Sequence, residues 1–165
     1  MSTFPGFDPE DEFSLHVADD RTYARRIALQ ILYEIDTASH PAGPVLAHHL
    51  NLRQLKPKVA RYVQHLVEGV VGSMAEIDQA ISKYAPDFPL DQLAVIDRNV
   101  LRIAIFEFAI VARTPVGAAI DEAVELAKLF GADNAPAFIN GVLGSLADDK
   151  EMLLSMKNQA DDTAQ

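Results

Sequence analysis

Arg21, Arg25 and Arg26 stand within six positions of one another. Each guanidinium is a planar, permanently charged fork of donors that matches phosphate oxygens. The residues that follow predict a helix, which puts all three cations in its first turns. The helix macrodipole disfavours cations there by a few tenths of a kcal/mol, and a helix selected for stability alone would carry acids. The placement fits an anionic partner. It also fits a solvated arginine face packing against the acidic residues that precede it. Asp19 and Asp20 offset part of the charge and are good caps for that helix.

Other side chains offer less chemistry. His16, His40, His48, His49 and His65 show no metal-ligand spacing with carboxylates. His48 and His49 are adjacent and diverge on a helix, so no metal site is expected. Asp121 and Glu125 form an i, i+4 carboxylate pair, the raw material of acid–base catalysis. A solvated face with Glu125 reaching Lys128 explains them better. The glycines of GVVGSM, residues 69–74, lack the lysine and the strand context of a phosphate loop. There is no nucleophile elbow and no cysteine. A protein without enzyme activity, metal or cofactor is expected.

The elements that must position the arginines are helical. No stretch alternates with period two, and no hairpin signal occurs. Val100 to Val111 carries only Arg102 and Glu107 against ten apolar residues. A helix apolar all round is buried on every side, and twelve residues are too few to cross a bilayer. Each of the two charges in it must have a partner. The helix should stop near Pro115, because the residue before a proline avoids helical geometry. AAIDEAVELAKLF follows and should end at a left-handed Gly131. A further helix should start near Asn134.

Upstream, the arginine helix is predicted from about Arg21 to Thr37. Ala24, Ile27, Ala28, Ile31, Leu32 and Ile35 form its inward stripe, and Thr22, Tyr23, Arg25, Arg26, Gln30 and Tyr33 fall on or near the other side. Residues 40–44 (HPAGP) read as a loop, Val45 to Leu55 as a short helix, and Lys56-Pro57-Lys58 as a break. Val59 to Val71 is amphipathic, and Met74 to Tyr84 is another short helix. The prolines at 86 and 89 suggest a division into two helical halves. The total is an all-α domain of about seven helices.

The 165 residues suit one domain able to bury its own core. The absence of cysteine and of a basic, apolar leader favours a cytoplasmic protein. Net charge is −10, which argues against a simple nucleic-acid binder. The acids, however, lie at the ends. Residues 1–20 hold six acids and no Lys or Arg, and residues 148–165 hold five acids and two lysines, so the body between them is near neutral. Residues 1–20 are expected to be a disordered acidic extension, which either competes for the arginines or is a solubilising tail without contact to the body; 21–147 are expected to be the helical domain, and 148–165 a partly helical acidic tail.

VLRIAIFEF, a proline turn, and then AIDEAVELAKLFGADNAPAFINGVL resemble the C-terminal half of the NusB family of bacterial transcription antitermination and termination factors. ARRIALQILYEID, residues 24–36, is similar to that family's first helix. The resemblance holds order and spacing from about Arg21 to Leu146. It implies a NusB-like fold of two packed three-helix bundles and an RNA-binding factor with no cofactor. It implies boxA-type single-stranded RNA as ligand, and as partners the ribosomal protein NusE and the antitermination complex on RNA polymerase. Carried onto this chain, it places RNA contacts at Arg21, Arg25, Arg26, Gln30 and Tyr33, and at Phe130, Asn134 and Phe138. It places partner contacts at Asp97, Arg98 and Leu101. Thr22 and Tyr23 stand where many members are basic, and Ala137 where a lysine is frequent, which implies fewer phosphate contacts. The alternative is a protein-interaction module or homodimer of the same fold with weak RNA binding.

Overall fold

The computed structural model describes residues 19–163. The expectation of a disordered extension before Asp19 lies outside these residues. Among them there is no strand. The α-helices are α1 (Asp20–Ala38), α2 (Ala42–Leu52), α3 (Pro57–Gly72), α4 (Met74–Tyr84), α5 (Val95–Ile105), α6 (Val116–Phe130), α7 (Ala135–Asp148) and α8 (Lys150–Thr163). None is long and apolar enough to cross a membrane. The chain forms two compact units that divide between Val71 and Gly72. The expected division at Pro86 and Pro89 is therefore corrected. Those prolines lie within the second unit, between the buried residues Ala85 and Leu93.

In the first unit, Asp19 caps α1 by accepting the Thr22 N–H at 2.9 Å. That bond holds the Asp19 carboxyl below the usual carboxylate range. Ser39, at φ 52°, ends the helix in the left-handed region. α2 begins earlier than expected, with Pro41 at its N-cap and Pro44 in its first turn. Proline is tolerated there because first-turn N–H groups have no acceptor within the helix. α2 packs on α1. α3 buries the stripe Val59, Val63, Leu66, Val67 and Val70.

The second unit is built around α5. Every residue from Asn99 to Ile110 is buried, as the all-round apolarity of the run requires. α5 meets α4, α6 and α7, and α6 and α7 pair with each other. Past Ile105 the helix widens into a π turn, Phe106–Ile110, in which the Val111 N–H reaches Phe106 O at 3.0 Å. Ala112, at φ 57°, then reverses the chain. Both charges of the run are answered. Arg102 donates from Nε and Nη2 to Asp78 at 2.9 and 3.1 Å and from Nη1 to Asn99 at 3.1 Å. Glu107 accepts the Thr114 hydroxyl at 3.1 Å.

Gly131 differs from expectation. Its φ is −93°, so no left-handed turn requires glycine. Space requires it: a Cβ there would lie 2.8 Å from both Ala127 O and the Ala135 Cβ. α8 also runs further than expected, to Thr163. Asp149 pins its start, accepting from Lys83 Nζ at 2.9 Å, from the Tyr84 hydroxyl, and from the Met152 N–H at 3.1 Å.

Candidate nucleic-acid interface

In the first unit the arginines of α1 divide into distinct environments. Arg21 is exposed, and its guanidinium carbon stands 5.1 Å from the centroid of the Tyr62 ring on α3. The Arg25 guanidinium reaches the same ring at 5.9 Å. Rings attract cations at this range through their negative faces. Arg25 is nevertheless only 5% exposed, so most of its side chain lies against neighbouring residues. Tyr23 is likewise buried and not on the outer side of the helix. Long side chains fold their stems back along the helix, and a wheel cannot show that. Arg26 is half-buried, and its Nε is buried without a hydrogen-bond partner among the described residues.

Gln30 is held by a polar chain. Its Oε1 accepts from Arg53 Nη2 at 2.5 Å, and Arg53 Nη1 stands 3.3 Å from His49 Nδ1. His49 Nε2 lies 2.5 Å from the Glu34 carboxylate. An arginine only donates, so Nδ1 accepts and Nε2 carries the proton given to Glu34. Tyr33 is half-buried further along α1. Lys56 and Lys58, which in the sequence stand only as flanks of a break, join this surface. Both are exposed and face Asp20, with Nζ at 3.6 and 2.7 Å from its carboxylate oxygens. The signal in the sequence is a pair of lysines spaced i, i+2 around the first residue of α3.

In the second unit, the turn from α6 to α7 carries Phe130, Asn134 and Phe138. Phe130 is 9% exposed and belongs to the core. Asn134 is exposed. Phe138 is half-buried and meets Phe88 edge to face, with centroids 6.0 Å apart; Phe88 is exposed. The partner set on α5 also divides. Leu101 is fully buried in this structure. Arg98 is half-buried and donates to Leu90 O at 3.3 Å. Asp97 Oδ1 is buried with no hydrogen-bond partner among the described residues, and burial pushes its carboxyl above the usual range.

A model described as the NusB family matches residues 22–148. Among curated relatives, the transcription antitermination protein NusB of Roseiflexus castenholzii is 43% identical over 132 residues, covering 79% of this chain and 93% of the relative. The protein of the same description from Streptomyces coelicolor is 42% identical over 136 residues, covering 81% and 96%. Among solved structures, NusB of T. maritima superposes with a TM-score of 0.73 at 29% identity, covering 80% of this chain and 95% of that one. A structure of the antitermination factors NusB and NusE in complex with dsRNA superposes with a TM-score of 0.71 at 27% identity, covering 77% and 95%.

Proposed function

The chain belongs to the NusB family, and from that premise we propose that it is an RNA-binding transcription antitermination factor. It binds boxA-type single-stranded RNA together with NusE and joins the antitermination complex on RNA polymerase, supporting ribosomal RNA transcription. It acts in the cytoplasm, without catalysis, through residues 21–147. The observation that carries this reading is the extent of the family match. Residues 22–148 take in nearly all of the arginine helix and the whole α6–α7 turn.

The local chemistry supports it. Arg21 is open to a phosphate, and Arg26 on the same helix is a second, half-buried guanidinium. Gln30 and Tyr33 continue along α1, and Asn134 and Phe138 offer an amide and a ring to bases. On the partner side, the half-buried Asp97 and Arg98 are the contacts. Burial of Arg25 and Phe130 favours a second reading, a protein-interaction module or homodimer with weak RNA binding.

In vitro transcription through a terminator downstream of a boxA element separates the readings. Addition of this chain with NusE should raise read-through, and scrambling the boxA sequence should abolish the rise. Read-through that ignores either addition or scrambling would reject the first reading.

A further inference from the structure

One face of α3 takes no part in the core. Lys58, Arg61, Tyr62 and His65 are spaced i, i+3, i+4 and i+7, so they form a single stripe covering about 10 Å of helix axis. Lys58, Arg61 and His65 are exposed and Tyr62 is half-buried, while the apolar stripe of the same helix is buried. The stripe is continuous with the arginine helix, because Arg21 of α1 lies over the Tyr62 ring. The His65 ring stands beside Tyr62, with centroids 5.8 Å apart. Lys56 precedes the stripe and is also exposed.

The cations at its head are engaged by one carboxylate. Asp20 accepts from Lys58 at 2.7 Å and faces Lys56 at 3.6 Å. Those lysines, Lys58 first, hold the Asp20 carboxyl below the usual range. Both lysines are open to water, and pairs of this kind contribute little to stability. A phosphate can therefore displace Asp20 at small cost. Basic groups that follow a backbone, interleaved with rings on which bases stack, are the means by which single strands are bound without sequence preference.

We propose that the RNA path continues from α1 onto this face of α3, where Lys56 and Lys58 take a phosphate in place of Asp20 and the His65–Tyr62 pair takes a base. The inference rests on the RNA-binding reading above and adds a second helix to it.

The test is fluorescence anisotropy of a labelled boxA-type single strand against the full chain, with NusE present, across a salt series. Circular dichroism of each variant confirms folding. Lys56→Ala/Lys58→Ala should weaken binding about 3–10-fold and reduce the salt slope by about 0.7 for each phosphate no longer neutralised. His65→Ala should weaken binding with the slope unchanged. Asp20→Asn should tighten binding, an outcome that damage to the fold cannot mimic. Arg26→Ala, which leaves the Arg21–Tyr62 contact in place, is the arginine variant that reports on α1. If that variant loses affinity while the lysine, histidine and aspartate variants bind like the unsubstituted chain, the α3 path is overturned and the RNA reading stands. If the arginine variant is also unchanged, or the unsubstituted chain does not bind, both fall.

Discussion

Asp149 is the residue on which the start of α8 depends. Its carboxylate takes hydrogen bonds from Tyr84, Lys83 and the Met152 N–H, which together lower its pKa to about 2. The same contacts raise the pKa values of Lys83 and Tyr84. A carboxyl lowered in the fold stabilises it above the unfolded value of 3.8 and loses that contribution as pH falls toward 2. Thermal melts of the unsubstituted chain should therefore fall through this acid range. Asp149→Asn should melt lower at neutral pH and show a shallower decline between about pH 4 and 2. A variant with an unchanged acid slope would show that Asp149 does not govern it. At Gly131 the limit is volume. Gly131→Ala should cost about 1–3 kcal/mol in urea unfolding, because the new methyl overlaps Ala127 O and the Ala135 Cβ. Gly131→Asn should be no milder, since asparagine helps only where the backbone is left-handed. A tolerated asparagine would contradict the extended backbone, with its negative φ, at this position.

Among the elements, the join between α5 and the chain that follows is strained at one point. Ala112 holds a left-handed backbone at φ 57°, which costs a residue with a Cβ roughly 1–2 kcal/mol. Ala112→Gly should therefore raise stability by up to about 1 kcal/mol, the added freedom of the unfolded glycine offsetting part of the relief. A lower melting temperature would mean that the methyl packs in a way that outweighs the strain. The burial of α5 was legible because a polar face is absent from Val100 to Val111, and so was the need for partners at Arg102 and Glu107. The π turn and the left-handed Ala112 were not, since neither glycine nor proline marks them. The start of α2 was misread because prolines break helices in their interiors but not in their first turn. The site was legible as a helix bearing arginines. The burial of Arg25 and Phe130 was not, because it depends on rings and walls supplied by other helices. Lys56 and Lys58 were hidden by the proline between them, which signals a break and gives no hint that a helix starts there and aims both charges at Asp20.

Over the whole molecule, charge separates the ends from the body. The net charge of −10 comes almost entirely from residues 1–20 and 148–165. Four of the acids precede Asp19 and are tethered to the helix that bears Arg21 and Arg26. If that tethered polyanion reaches the arginines, its high effective concentration would make it compete with RNA phosphates at low salt. Deleting residues 1–18 keeps the Asp19 cap, and it should tighten RNA binding at low salt by a margin that closes as salt rises through the screening range. Equal affinities at low salt would leave those residues without this role.

In the proposed function, RNA and NusE bind together on one chain. The most direct measurement is a titration of boxA-type RNA with the chain alone and with NusE. NusE should tighten RNA binding several-fold, and by linkage RNA should tighten NusE binding by the same factor. An RNA affinity that is absent in both titrations, or unaltered by saturating NusE, would contradict it.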